Sequence, residues 1–204
     1  SDLDHHRPGE GVGGYAAANA PKGRQDAAPG LLFGAAGVGL ALLAATRPEL
    51  DPILDIYGRG DAQPSLVALA AAAGVAERVV FHGRIAIDDV PEAVAASDIG
   101  LAPTRLDRFT ALTISTKIHE YAAMGKPVIC SRLPMVERTL PPDSALTYPP
   151  GDAAALTESL RRVAEDPAAR DAVVRRLSGF TQAFAWEREA PRYVAVIERL
   201  ARRN

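Results

Sequence analysis

From Leu31 onward, short apolar and β-branched runs alternate with alanine-rich stretches whose apolar positions recur at helical spacing. The runs Leu31–Phe33, Ile53–Tyr57, Arg78–His82, Ile99–Ala102, Val128–Ser131 and Ala145–Tyr148 are too short for helices and read as strands. Strands separated by helices in this way form a parallel sheet covered on both faces, so the fold class is α/β. The helices carry their own punctuation. Pro64 starts one that runs to Ala73 and stops before Gly74. A second covers Val90 to Ala96. A third, Lys117 to Met124, is ended by Gly125, which accepts a left-handed cap, and by Pro127, which cannot continue a helix. Asp152 caps another that reaches Glu165. From Ala168 to Arg203, Leu, Val and Phe alternate with Arg and Glu, which predicts helices lying over the sheet with a break near Pro191. Residues 9–30 are rich in Gly, Ala and Pro and show no apolar period, so residues 1–30 read as an arm and 31–204 as the folded domain.

Composition narrows the function. Of 204 residues, 48% are apolar and the formal net charge is −2, enough for one buried core. A nucleic-acid partner is not expected, because displacing counterions needs clustered cations and no Lys/Arg stripe is present; phosphate contacts would be local. Cys130, the single cysteine, lies in the apolar run Pro-Val-Ile-Cys. It therefore reads as a buried thiol in a reducing compartment rather than a nucleophile. The longest apolar stretch, Gly30 to Thr46, is interrupted by four glycines and is too short to span a bilayer, and no signal-peptide pattern opens the chain. The expectation is a soluble, cytoplasmic protein.

Ligands of an open parallel sheet bind beyond the carboxyl ends of its strands, where helix N-termini offer free N–H groups to anions. Four segments fall there: Gly34-Ala-Ala-Gly-Val-Gly39, Gly58-Arg-Gly-Asp61, His82-Gly-Arg-Ile85 and the stretch from Pro103 to Glu120. The first is a glycine turn whose order is GxxGxG rather than the dinucleotide GxGxxG, and tight helix packing explains it equally. Gly58 and Gly60 either admit a ligand close to the backbone or make a plain turn. The last segment says more, because Thr113, Ser115, Thr116, Lys117 and Glu120 crowd the start of one short helix. Lys117 and Glu120 are three apart and share a face. The ammonium can meet a phosphate while the carboxylate accepts hydrogen bonds from a vicinal diol such as a ribose; the alternative is an ordinary surface ion pair. His82 reads as a satisfied, half-buried strand-end histidine and Trp186 as a packing anchor for the last helices. His5 and His6, with Asp2 and Asp4, lack the spacing of a metal site, and no metal is expected.

Four motifs in order now resemble a known family. Ile53-Leu-Asp-Ile-Tyr-Gly-Arg-Gly60 is similar to its apolar strand ending in GxG, Arg78-Val-Val-Phe-His-Gly-Arg84 to its V-x-F-x-G strand, and Ala96-Ser-Asp-Ile-Gly-Leu-Ala-Pro103 to its ASDIxLxPS run. Thr116-Lys-Ile-His-Glu-Tyr-Ala-Ala-Met-Gly-Lys-Pro-Val128 resembles its TK-x-x-EY-x-A-x-GKPV helix and strand. The family is the glycosyl transferases group 1, the GT4-like retaining enzymes of GT-B fold, and the resemblance is to their C-terminal, donor-binding, Rossmann-like domain. Ser1-Asp-Leu-Asp-His-His-Arg-Pro8 is similar to the segment passing from acceptor to donor domain, and Phe184-Ala-Trp-Glu187 to the closing FSW segment. The resemblance thus makes residues 1–30 an interdomain hinge and implies an N-terminal acceptor domain as a missing partner.

The same resemblance implies roles. Glu120 would bind ribose hydroxyls, Arg84 and Ile85 would frame the base, Thr116 and Lys117, beside Ser115, would face the diphosphate, Gly58 and Gly60 would line the nucleotide cleft, and Thr113 would lie near the donor sugar. Lys117 and Glu120 are the candidate catalytic residues. The implied reaction is retaining transfer of a hexose from a nucleotide diphosphate sugar, with the leaving diphosphate stabilised electrostatically, no protein nucleophile, and no cofactor besides the donor substrate. Leu112 stands eight residues before Glu120, where many members carry a glutamate, and Ala35 and Ala36 stand where the family places diphosphate-binding cations. A lone fragment would bind nucleotide and transfer little sugar. A peripheral membrane contact through the parent protein is compatible with the sequence. The alternatives are a nucleotide-sugar epimerase of the same fold, a non-catalytic nucleotide-binding or interaction module, and an NAD-dependent oxidoreductase; Asp55 inside its strand argues against the last.

Overall fold

Over residues 52–202, which the computed structural model describes, strands and helices alternate: β1 (Leu54–Tyr57), α1 (Gln63–Ala72), β2 (Val79–Gly83), α2 (Val90–Ala95), β3 (Gly100–Ala102), α3 (Thr116–Ala123), β4 (Val128–Ser131), α4 (Pro134–Thr139), β5 (Leu146–Tyr148), α5 (Ala153–Glu165), α6 (Pro167–Ala183) and α7 (Trp186–Ala201). The expected arm over residues 1–30, the strand Leu31–Phe33, the glycine turn Gly34–Gly39 and His5 and His6 lie outside the described residues.

All strand pairing is parallel, as the intervening helices require. It forms two pieces, β1–β2 and β3–β4–β5 with β4 in the middle, and no ladder joins them among the described residues. Alternation along β4 builds both sides of the core. Val128 and Cys130 face a cluster with Ile118, Ala122, Val136 and Leu177, drawn from α3, α4 and α6, and with Leu133, the residue that caps α4. Ile129, one step out of phase, faces Tyr148, Leu156, Leu160 and Val163, so α5 covers the opposite face, and Leu54 of β1 packs there too. Val128 and Ile129 are both fully buried, as a central parallel strand demands.

Local chemistry sets the helix ends. Gly125, at φ 66°, closes α3. The Asp152 carboxylate accepts the N–H of Ala155 at the start of α5, and Asp166, which joins α5 to α6, accepts that of Ala169 ahead of Pro167. Helix α4 has no counterpart in the sequence reading, although Pro134 at its first turn is a start signal. The tail corrects two expectations. Helix α7 runs through Pro191, and the break falls at Phe184 and Ala185, where Ala185 turns extended at ψ 140°. Only α6 lies against the layers, through Val173 and Leu177; α7 buries none of its residues. Trp186 is 65% exposed, and among the described residues its ring contact is with Tyr193 of its own helix, at a ring separation of 6.2 Å, so it does not join α7 to α6.

Candidate functional site

The sequence-predicted site residues gather in two groups, both at carboxyl ends of parallel strands. The first surrounds the start of α3. Ser115 precedes the helix in extended conformation, and its side chain makes no capping bond; its carbonyl accepts the Ile118 N–H at 3.1 Å, which leaves the Thr116 and Lys117 N–H groups without an intrahelical partner. Thr116, Lys117 and Glu120 are exposed, and Thr113 and Ser115 are half-buried. Lys117 and Glu120 form no ion pair with each other or with any other described residue, which sets aside the ordinary surface pair. An ammonium and a carboxylate thus stand one turn apart, beside the positive end of the helix dipole. What holds them is the opposite side of α3, where Ile118 and Ala122 are each 1% exposed.

Several supporting residues escaped the sequence reading. Near the start of the loop from β3 to α3, the Thr104 N–H donates to the Ser131 hydroxyl at 2.8 Å, and Ser131 in turn meets the Tyr148 hydroxyl at 3.4 Å. Buried Ser131 therefore ties the carboxyl ends of β3, β4 and β5 together. Further along, Asp107 accepts the N–H groups of Phe109 and Thr110 and the Thr110 hydroxyl. Chiefly because of the Thr110 N–H, its carboxyl titrates below the usual carboxylate range, and nearby Arg105 adds to this. A short polar residue followed by a threonine three on is the signal that marks this turn. Beneath the loop, Gly100 meets the Tyr121 ring, whose phenol burial pushes upward in pKa. Leu112 is 73% exposed on the same loop.

The second group lies where β1 and β2 end. The Gly58 N–H donates to the Gly83 carbonyl at 2.6 Å, and both glycines take left-handed angles, φ 123° and 72°, that side chains rarely adopt. At Gly60 neither backbone angle nor neighbour demands glycine. Arg84 is exposed and Ile85 half-buried just beyond. His82 is satisfied as expected: Nε2 lies 2.6 Å from Asp55 Oδ1, its ring stacks on Tyr57 at 4.4 Å, and its side chain is 35% exposed. Cys130 is buried, and that burial pushes its thiol up to about 12. Among the described residues no group of three or more His, Cys, Asp or Glu is placed to hold a metal ion, and no helix is long and apolar enough to cross a membrane.

Comparison with known proteins follows the same lines. Residues 37–166 match the family described as "Glycosyl transferases group 1". The D-inositol 3-phosphate glycosyltransferase of Arthrobacter sp. (strain FB24) is 26% identical over 153 residues, 74% of this chain and 35% of that protein. Sucrose-phosphate synthase from Thermosynechococcus elongatus superposes with a TM-score of 0.67 at 24% identity, over 82% of this chain and 43% of its own. HepE from Anabaena, in complex with UDP and glucose, gives 0.63 at 18% identity, over 83% and 45%. The structural likenesses establish the fold, two Rossmann-like halves of which this chain matches one. The chain spans about a third of the length of the curated relative.

Proposed function

Because the chain belongs to the glycosyl transferases group 1, we propose that it binds a nucleotide diphosphate sugar and forms the donor half of an enzyme transferring a hexose to an acceptor with retention of configuration. The observation that carries this reading is the open start of α3, with Lys117 and Glu120 exposed on one face at the carboxyl end of the sheet and unpaired among the described residues. In the proposed complex Glu120 accepts hydrogen bonds from the ribose hydroxyls. The Thr116 and Lys117 side chains and their backbone N–H groups hold the diphosphate, and the positive charge there opposes the negative charge that grows on it as the sugar–phosphate bond breaks. Thr113 lies toward the donor sugar. Gly58 and Gly60 line the cleft, with Arg84 and Ile85 beside the base. HepE, the relative of similar fold, carries UDP and glucose, which supports a nucleotide sugar as ligand.

The acceptor side belongs to polypeptide beyond this chain, since a GT-B site lies between two halves. A cytoplasmic setting is part of the reading, supported by the buried reduced Cys130. The test is thermal stabilisation of the 204-residue chain by UDP, GDP, ADP and NAD. A ligand at 100 times its dissociation constant adds about 2.7 kcal/mol, or roughly 5–10 °C for a domain of this size. Glu120→Gln is expected to weaken the bound diphosphate about tenfold by replacing charged hydrogen bonds with neutral ones. Stabilisation by NAD alone, or by no nucleotide, refutes the proposal. Turnover of donor onto acceptor by this chain at ordinary enzyme rates refutes the half-site part of it.

A further inference from the structure

Arg59 is the one residue of the Gly58-Arg-Gly-Asp61 turn with a side chain long enough to cross the end of β2, and the structure shows where it goes. Its Nε lies 3.9 Å from the position a β-carbon would take at Gly83. The side chain therefore passes over the end of β2, beside the glycine that precedes Arg84 and Ile85. Among the described residues Arg59 has no hydrogen-bond or ion-pair partner. Arg161 and Arg192, by contrast, are held by carboxylates of their own helices. The acid on the neighbouring strand position, Asp55, is occupied by His82 at 2.6 Å. Asp61, two residues on, makes no ion pair with it.

A planar fork of five donors and no acceptor, unpaired among the described residues, is thus laid over the end of a strand pair where ligands of parallel sheets sit. Such a fork pairs with oxygen acceptors and is mismatched against an amino group, which is also a donor. We propose that Arg59 reads the base of the bound nucleotide, selecting one with a carbonyl oxygen, uracil or guanine, where cytosine or adenine carries an amino group. The inference rests on the donor-site reading above and adds to it the class of base and the residue that selects it. Arg84 and Ile85 contribute the edge of the slot.

The experiment measures dissociation constants of UDP, CDP, GDP and ADP for the 204-residue chain and for its Arg59→Ala, Arg59→Lys and Glu120→Gln variants, each first shown to melt as the wild type does. One oxo base is expected to bind at least about tenfold tighter than its amino counterpart, the size of one well-made base contact. Arg59→Ala and Arg59→Lys should both reduce that ratio to within about threefold, because Lys keeps the charge but not the fork. Glu120→Gln should weaken all four ligands alike and leave the ratio standing. If Arg59→Ala weakens the four equally, or Arg59→Lys retains full discrimination, the side chain serves charge alone and the inference is wrong while the donor site stands. If the wild type prefers ADP or CDP, the inference is likewise wrong. If the wild type binds none of the four, the donor-site reading falls and this falls with it.

Discussion

Gly100→Ala tests how tightly the sheet fixes the helix that carries the candidate site. A β-carbon at Gly100 collides with Cβ, Cγ and Cδ2 of Tyr121. One of those atoms, Cβ at 2.8 Å, is set by the α3 backbone, so turning the side chain about χ1 and χ2 moves Cγ and Cδ2 but cannot clear all of the space, and α3 has to move off β3. Overpacking of this kind costs about 1–3 kcal/mol. The upper end applies here, because Ile118 and Ala122 on the same helix are each 1% exposed and leave no slack around the contact. The variant should melt roughly 6–12 °C below the wild type. Because Thr116, Lys117 and Glu120 ride on α3, nucleoside diphosphate affinity should fall as well. Differential scanning fluorimetry of Gly100→Ala, Tyr121→Ala and the double variant supplies the cycle. Removing the ring reopens most of the space, so the double variant should be more stable than the sum of the singles predicts, by about 1 kcal/mol or more. A Gly100→Ala protein that melts within about 1 °C of the wild type, or a strictly additive cycle, refutes the reasoning.

Other consequences follow from the core. Leu177 is fully buried between α6 and the first cluster, so Leu177→Ala should lose about 3–4 kcal/mol in urea denaturation; a loss under about 1 kcal/mol would mean that α6 does not buttress α3 as described. Cys130 gives a pH dependence whose sign is fixed by its raised value. The folded state disfavours the thiolate, so stability is full below the ordinary 9.0 and declines as pH rises toward about 12. At pH 10 the wild type should have lost about 1.4 kcal/mol relative to Cys130→Ala, compared with their difference at pH 7. Parallel pH profiles for the two proteins would contradict that burial.

The candidate site was partly legible because some of its chemistry is local. Ser115, Thr116, Lys117 and Glu120 lie within one turn and its cap, so helical spacing alone puts Lys117 and Glu120 on one face. Whether they pair with each other was open until the structure showed that they do not, nor with any other described residue. The Asp107 turn is just as local and could have been found from its threonine three residues on. Ser131 holding Thr104, and Asp55 holding His82, each span 27 residues and leave no trace in any short window.

The alternation of β-branched runs with alanine-rich helices, the Pro and Asp starts and the Gly125 stop were set by sequence alone, because propensity and capping act over a few residues. The boundaries of β4 were readable for the same reason, as an uninterrupted apolar run between punctuating residues. Tertiary structure decided the rest. Helix α4, six residues long, is too short to show a period. The final break falls at Phe184 and Ala185 rather than at Pro191, and α7, none of whose residues is buried, tolerates a proline that costs it one hydrogen bond. The same holds for the meeting of Gly100 with Tyr121 and the course of Arg59 over Gly83. Such contacts depend on which strand lies beside which helix, and that is fixed only when the whole apolar surface is buried at once.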